Sequence, residues 1–311
     1  MVPSETRWPA VTVIVPTRGR RELVRETVAS IVRQRYPGPL ECIVVHDQEE
    51  PDPTLAELAQ PDREVRAVRN DGPAGLAAAR NAGLRLATTD LVASCDDDDT
   101  WLPDKLRWQV ERLRQDPQLL VVGGGINLIL PADRVVTWLG RSDVVTRADL
   151  LRSRRKELHS STLVMWRKVF DLVGPYDEHL PQGYAEDYEW LLRVSAVGGI
   201  GVVRRPTANV RKDVVSWFRE RNEVVAEALE YLLDRHPELR STRRGHARIL
   251  GQIAFARASL GRRGVALRWA LQSLLRWPLA PQALLALFQI PFRVDPRTAL
   301  RGARVFGRGL S

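Results

Sequence analysis

Four consecutive aspartates, Asp96 to Asp99, stand between a β-prone run, Leu91-Val92-Ala93-Ser94-Cys95, and the segment Thr100-Trp101-Leu102-Pro103-Asp104-Lys105-Leu106. Carboxylates set side by side oppose one another's ionisation, so a folded chain keeps such a cluster charged only by neutralising it. A hard divalent cation, magnesium or manganese, prefers oxygen ligands of this kind. The cluster ends what reads as a buried strand, and the carboxyl ends of strands in open α/β sheets are where ligands bind. A solvated acidic turn capping the next helix is the competing reading. It accounts less well for a strand feeding straight into the charges.

The elements that must hold this cluster follow from hydrophobic pattern. Val11 to Val15 is β-branched and wholly apolar, as expected of a strand buried on both faces of a parallel sheet. Pro16-Thr17-Arg18-Gly19-Arg20 breaks it. A helix is expected from about Glu22, with Val24, Val28 and Val32 beside Leu23, Thr27 and Ile31, stopped by Tyr36-Pro37-Gly38-Pro39. Further strands are expected over Leu40–Val45 and Val65–Val68, with a glycine-bearing loop at Asn70–Gly75 and a small-residue helix over Leu76–Ala87. Val121–Ile126 reads as a bent strand, and its three glycines lack the spacing of a phosphate loop. His159–Met165 reads as another strand. Strands alternating with helices specify an α/β fold with a mostly parallel, Rossmann-like sheet flanked by helices and right-handed crossovers.

In order and spacing, VTVIVPTRGR, VVHD, NDGPAGLAAARNAGL, CDDDDTWLPDKL and GYAEDYEWL resemble a family 2 glycosyltransferase of the GT-A fold. The resemblance covers roughly residues 10–215. It implies a GT-A catalytic domain over 1–213, with a nucleotide-sugar half at about 10–105 and an acceptor half at about 106–213. It also implies an inverting transfer of one sugar from a nucleotide-diphosphate donor to a glycan, lipid-linked or small-molecule acceptor. The pattern of processive synthases, QxxRW, is absent where it would fall, which favours single-sugar transfer.

The resemblance carries residue roles with it. Pro16, Thr17 and Arg18 would line the base and ribose, and Asp47 would accept a hydrogen bond from the base. His46 and Gln48 depart from the family's usual pair of acids followed by glycine. Arg80 would point into the same cleft and neutralise diphosphate or an aspartate. Asp96, Asp97 and Asp98 form the DXD motif, with Asp98 the direct metal ligand, Asp96 beside ribose and metal, and Asp99 capping the loop or positioning Asp98. A manganese or magnesium ion there would stabilise the leaving diphosphate. Asp187 would be the general base, and Glu186, His159 and Trp190 would face the acceptor. A helix start also tolerates the Glu186-Asp187 pair through its macrodipole. The histidine expected after the last strand is replaced by Asn209-Val210-Arg211-Lys212, so Arg211 or Lys212 would face the diphosphate.

The 311 residues, 44% hydrophobic and 27% charged, describe an ordinary globular chain rather than a disordered or membrane-spanning one. Cys42 and Cys95 sit in apolar runs and read as buried thiols. The N-terminal stretch has no apolar h-region, so the expected location is cytoplasmic. Residues 241–311 hold thirteen arginines, no lysine and one acid, Asp295, a formal +12 against +9 for the whole chain, which leaves −3 for residues 1–240. The extension over 214–311 therefore carries the basic character. Helices are expected over Val214–Leu233, Ala247–Leu260 and Val265–Arg276. Leu279–Phe292 is apolar, broken by Pro281 and Pro291, and set with Trp269, Trp277 and Phe288 among arginines. Two readings follow: a face resting on an anionic membrane surface at the cell's inner side, or a helical cap packed on the catalytic domain or on a homodimer partner. Two rival functions are weighed against glycosyl transfer. A sugar-phosphate nucleotidyltransferase needs a longer glycine-rich basic loop than PTRGR, and a nucleic-acid-binding protein needs stacking or groove-reading motifs the tail lacks.

Overall fold

The computed structural model describes residues 8–212 and 222–292. The described residues divide into two compact units. The larger takes 8–147, 155–178 and 186–212; the smaller takes 148–154, 179–185 and 222–292. The boundary expected at 213/214 falls outside the described residues, as does the first part of the helix expected over Val214–Leu233.

The larger unit is α/β. In chain order it holds β1 Val11–Thr17, α1 Arg21–Val32, β2 Leu40–Asp47, β3 Arg63–Asn70, α2 Leu76–Leu86, β4 Leu91–Ser94, β5 Thr100–Trp101, α3 Lys105–Gln115, β6 Leu119–Leu130, β7 Arg134–Trp138 and β8 Val144–Val145. After α4, Arg147–Arg152, which lies mostly in the smaller unit, come β9 Val164–Trp166, α5 Val169–Val173, α6 Glu186–Val197 and β10 Gly199–Arg211. The sheet runs β3-β2-β1-β4-β9-β6-β10-β5, with β7 on β6 and β8 on β10. β3, β2, β1 and β4 are parallel, while β9 is antiparallel to both β4 and β6.

Residue type explains the layering. β1 is buried along its whole length, as a central strand covered on both faces must be. The face of α1 that turns inward is Val24, Thr27, Val28, Ile31 and Val32, a helical spacing. The inward side of α2 is built from Ala77, Ala78, Ala79, Ala82 and Gly83, and a Cβ on Gly83 would collide with Ile14 and press on Val45. Small residues thus bring α2 close enough for Arg80 and Asn81 to be buried. The glycines of β6 serve packing too: side chains on Gly123 and Gly124 would run into Glu157 and Thr207. The strand expected over His159–Met165 is mostly something else. Ser160–Thr162 is a 3-10 turn and only Val164–Trp166 is extended, because the two serines turn their hydroxyls toward the aspartates.

The smaller unit contains α7 Asn222–Arg235, α8 Arg243–Ser259, α9 Arg263–Arg276 and α10 Pro281–Phe292. Pro281 opens α10, where a missing backbone N–H costs nothing, so it starts the helix rather than breaking it. No helix among the described residues is long and apolar enough to cross a membrane.

Candidate active site

Strand order reverses between β1 and β4, and the crevice beyond their carboxyl ends is where an open sheet offers a ligand its place. The aspartates sit there. Asp96 to Asp99 form a tight turn between β4 and β5, closed by the Asp99 amide donating to the Asp96 carbonyl. The Thr27 hydroxyl of α1 reaches the Asp97 and Asp99 carbonyl oxygens at 3.0 and 2.7 Å and fixes the turn from below. Thr17, the last residue of β1, donates to Asp97 Oδ2 at 2.8 Å across the strand reversal.

The four carboxylates point two ways. Asp97 and Asp98 share Arg20, whose Nη1 lies 2.9 Å from one and 2.8 Å from the other. Asp96 and Asp99 turn toward the sheet. Asp96 pairs with Arg80 and accepts from the Ser160 hydroxyl at 2.7 Å. Asp99 accepts from the Ser161 hydroxyl and from the Arg211 amide at 3.0 Å, with His159 Nδ1 3.7 Å away. Among the described residues, Asp96, Asp99 and His159 form the group whose ligand atoms lie close enough together to hold a cation, all within 4.8 Å of one another. The expected metal pair was Asp96 with Asp98. The geometry joins Asp99 and His159 to Asp96 and turns Asp98 toward Arg20.

Charge explains what the cluster lacks. Burial pushes the Asp98 carboxyl up to about 6, and Asp96 and Asp97 add to the rise against the pull of Arg20. Asp99 is driven well above the usual range by burial and by Asp96 and Asp98, and Asp97 rises through burial against Arg20. Asp96 alone goes down: burial opposes its charge, but Arg80, His159 and the Ser160 hydroxyl outweigh it. Two guanidinium groups face four carboxylates, and the excess negative charge is what a divalent cation answers. Carboxylate oxygens converging with an imidazole nitrogen fit that ion.

Arg80 joins this cluster to a second acid. It is only 1% exposed, paired with Asp96 on one side and Glu186 on the other, with the Tyr176 ring 5.6 Å from its guanidinium. Of the two partners the sequence offered it, diphosphate or an aspartate, it pairs with the aspartate, and with Glu186 besides. Asn81 beside it holds the Tyr176 backbone in both directions and donates to Glu178. Glu186 and Asp187 open α6. Glu186 is buried against Arg80, whereas Asp187 is half-buried, accepts from the Tyr188 amide at 2.7 Å and lies within electrostatic reach of Arg80.

Several expected roles sit differently in the structure. Trp190 is fully buried, its ring 4.9 Å from Phe170 and 5.4 Å from Tyr176, and its indole N–H donates to the Gly174 carbonyl. It holds α6 in place and does not face an acceptor. The Arg211 side chain pairs with Glu26 at 2.9 Å, so its part in the cluster is its backbone amide on Asp99. The Lys212 amide donates to the Ile129 carbonyl. Asp47 accepts from Asn70 and from the Gly75 amide, each at 3.0 Å, with Arg18 at 3.6 Å. It pins the glycine loop and the start of α2. Pro16 and Thr17 end β1, paired with Val45 and His46 of β2. Arg20, Ser160 and Ser161 are site residues that motif reading passed over, and Asp99, expected to cap the loop or position Asp98, stands with Asp96 and His159. Arg20 was visible as the second arginine of PTRGR; the serines gave no local signal.

The model of Glycosyl transferase family 2 matches residues 12–134. Over that segment the chain is similar to this family. It is similar to a putative teichuronic acid biosynthesis glycosyltransferase, TuaG, of Bacillus subtilis, 35% identical over 109 residues, 34% of this chain and 43% of that protein. The chain spans less than half the length of the curated relatives it first matches, 23% to 43%. Two solved structures share the fold. One is Staphylococcus aureus TarS 1–349 in complex with UDP-GlcNAc, with a TM-score of 0.61 at 17% identity over 96% of this chain and 92% of that one. The other is the mannosyltransferase PcManGT of Pyrobaculum calidifontis in complex with GDP-Man and Mn2+, with a TM-score of 0.56 at 19% identity over 93% and 89%. The fold is therefore GT-A.

Proposed function

We propose that this protein moves one sugar from a nucleoside-diphosphate sugar to an acceptor hydroxyl, with inversion, in the synthesis of a cell-envelope or secreted polysaccharide. The observation that carries the reading is the aspartate turn at the strand reversal, under-neutralised by Arg20 and Arg80 and linked through Arg80 to the acids that open α6. A nucleotide-sugar is a donor whose diphosphate needs positive charge at that spot. The relatives' names support the chemistry: one is assigned to teichuronic acid synthesis, and the two fold neighbours are held with UDP-GlcNAc and GDP-Man. A sugar-phosphate nucleotidyltransferase is not favoured by these matches, and nothing among them points to a nucleic-acid partner.

Asp96 and Asp99 with His159, and Asp98 once released from Arg20, would hold manganese or magnesium. The ion would stabilise negative charge on the departing diphosphate. Thr17 and Arg20 fix Asp97, so the turn keeps its shape while Asp98 remains adjustable. Arg18 and Asp47, an ion pair with Arg18 exposed, would line the base and ribose. Asp187 would take the acceptor's proton as the oxygen attacks the anomeric carbon from the face opposite the diphosphate. Arg80 and Glu186 set where the start of α6 stands.

Thermal stabilisation by UDP, GDP, dTDP and CDP, with and without manganese, identifies the base, because a ligand that binds only the folded state raises its melting temperature. NMR of the product's anomeric proton reads the stereochemistry. Retention would overturn the inverting assignment, and unchanged turnover in Asp98→Ala would overturn the role of the cluster.

A further inference from the structure

Helices α9 and α10 bury small residues most deeply and leave several large ones exposed. The fully buried members of their core are all alanine, Ala254 of α8 with Ala270, Ala280, Ala283 and Ala286. Trp269, Leu274, Trp277 and Leu287 pack partly against it, while another set of large apolar side chains points the other way. Leu267, Leu271 and Leu275 recur every four residues along α9, so they line one stripe, and Leu275 is 78% exposed. Leu279 follows at 66% exposed, and Leu284 and Phe288, again four apart, extend the apolar surface onto α10. A water-soluble bundle normally does the reverse, as α7 and α8 do here with Leu229, Leu232, Ile249, Leu250 and Ile253 buried. Alanine-to-alanine helix contacts beneath a leucine and phenylalanine exterior suit a bundle whose outer face meets hydrocarbon.

Charge selects the occupant. The sequence has no acid between Glu238 and Asp295, a stretch that holds ten arginines. On α9, Arg263 and Arg268 fall to either side of the Leu267–Leu271–Leu275 stripe when placed at about 100° per residue. Trp269 and Trp277 are partly buried next to it, with the Arg244 guanidinium 5.8 Å from the Trp277 ring. Aromatic and arginine side chains around an apolar strip match the headgroup layer of an anionic bilayer. A second copy of this chain pressed on the same face would set arginine against arginine. The helices are too short to span.

We infer that α9 and α10 form an interfacial membrane-docking surface, in which Leu271, Leu275, Leu279, Leu284 and Phe288 enter the acyl boundary of a bilayer rich in anionic lipid while the flanking arginines meet its headgroups. The surface works without the transfer reaction, so its test does not depend on the proposed activity.

Flotation of the full-length protein with vesicles of phosphatidylcholine alone, or with a third phosphatidylglycerol, measures it. The wild type floats with the anionic vesicles at low salt. It loses most of that binding in phosphatidylcholine or at about 0.5 M salt, where the Debye length is under 5 Å. Leu275→Glu/Leu279→Glu/Phe288→Glu lowers the bound fraction at least tenfold with an unchanged circular dichroism melt, which separates lost docking from lost folding. Wild-type protein that stays unbound on anionic vesicles at low salt overturns the inference. So does a dimer in light scattering that the triple variant dissociates, since the face would then belong to a second copy.

Discussion

The two units use arginine in opposite ways. In the sheet unit the guanidinium groups that matter are enclosed by acids: Arg20 between Asp97 and Asp98, Arg80 between Asp96 and Glu186, Arg193 on Glu189. In the helical unit Arg257 is treated the same way by Glu223 and Glu230, but on α9 the arginines flank exposed leucine in a stretch of chain that holds no acid before Asp295. A buried charge must be paired, and the pairing fixes geometry. A surface charge beside apolar bulk is left available to something outside the molecule. The first pattern suits small anionic ligands; the second suits an extended one.

The largest effect that could break this contrast belongs to Asp187. Its replacement by Asn should lower turnover by about 10²–10⁴-fold, the range of a lost general base, while calorimetry still shows nucleotide binding. Equal losses of binding and turnover would move Asp187 out of the catalytic role. Arg80→Met comes next. It strands Asp96 and Glu186 without their counter-ion and should cost about 3–5 kcal/mol in urea unfolding. Restoring part of that stability by adding Glu186→Gln would show that the uncompensated carboxylate, not lost packing, is responsible.

A third test is one of pH. With its carboxyl raised to about 6, Asp98 binds a proton in the folded state at a pH where the unfolded chain does not. The metal-free protein therefore gains stability from this group as pH falls from about 6 toward the ordinary carboxylate range. Over the same interval the affinity for manganese should weaken, as protons compete for the cluster. Asp98→Asn should flatten the stability slope in a chelator-treated sample. The smallest expected effect is on the other unit. Leu275→Glu alone should change unfolding free energy by no more than about 0.5 kcal/mol, because the side chain it replaces is already outside.

Much of the fold could be read from residue order. The wholly apolar runs of β1 and β2, the spacing on α1 and the small residues of α2 each have one structural solution, and the structure adopts it. The aspartate turn announced itself by its unlikely charge. What could not be read depends on partners distant in sequence. Ser160 and Ser161 look like strand residues until Asp96 and Asp99, more than sixty positions earlier, claim their hydroxyls. The part played by Arg211 is invisible because its backbone, not its side chain, does the work. Trp190 misled for a related reason: an aromatic in a motif looks functional until Phe170 and Tyr176 are found packed on it.

The tie between Arg80 and Glu186 spans 106 positions of chain, and that between Thr17 and Asp97 spans 80. During synthesis the guanidinium of Arg80 emerges long before its second acid does. A nascent chain halted short of residue 186 has the aspartate turn but only half the charge that holds Arg80 in place. The charge balance around Arg80 is therefore completed only once the start of α6 has been made, so this part of the fold closes late in synthesis.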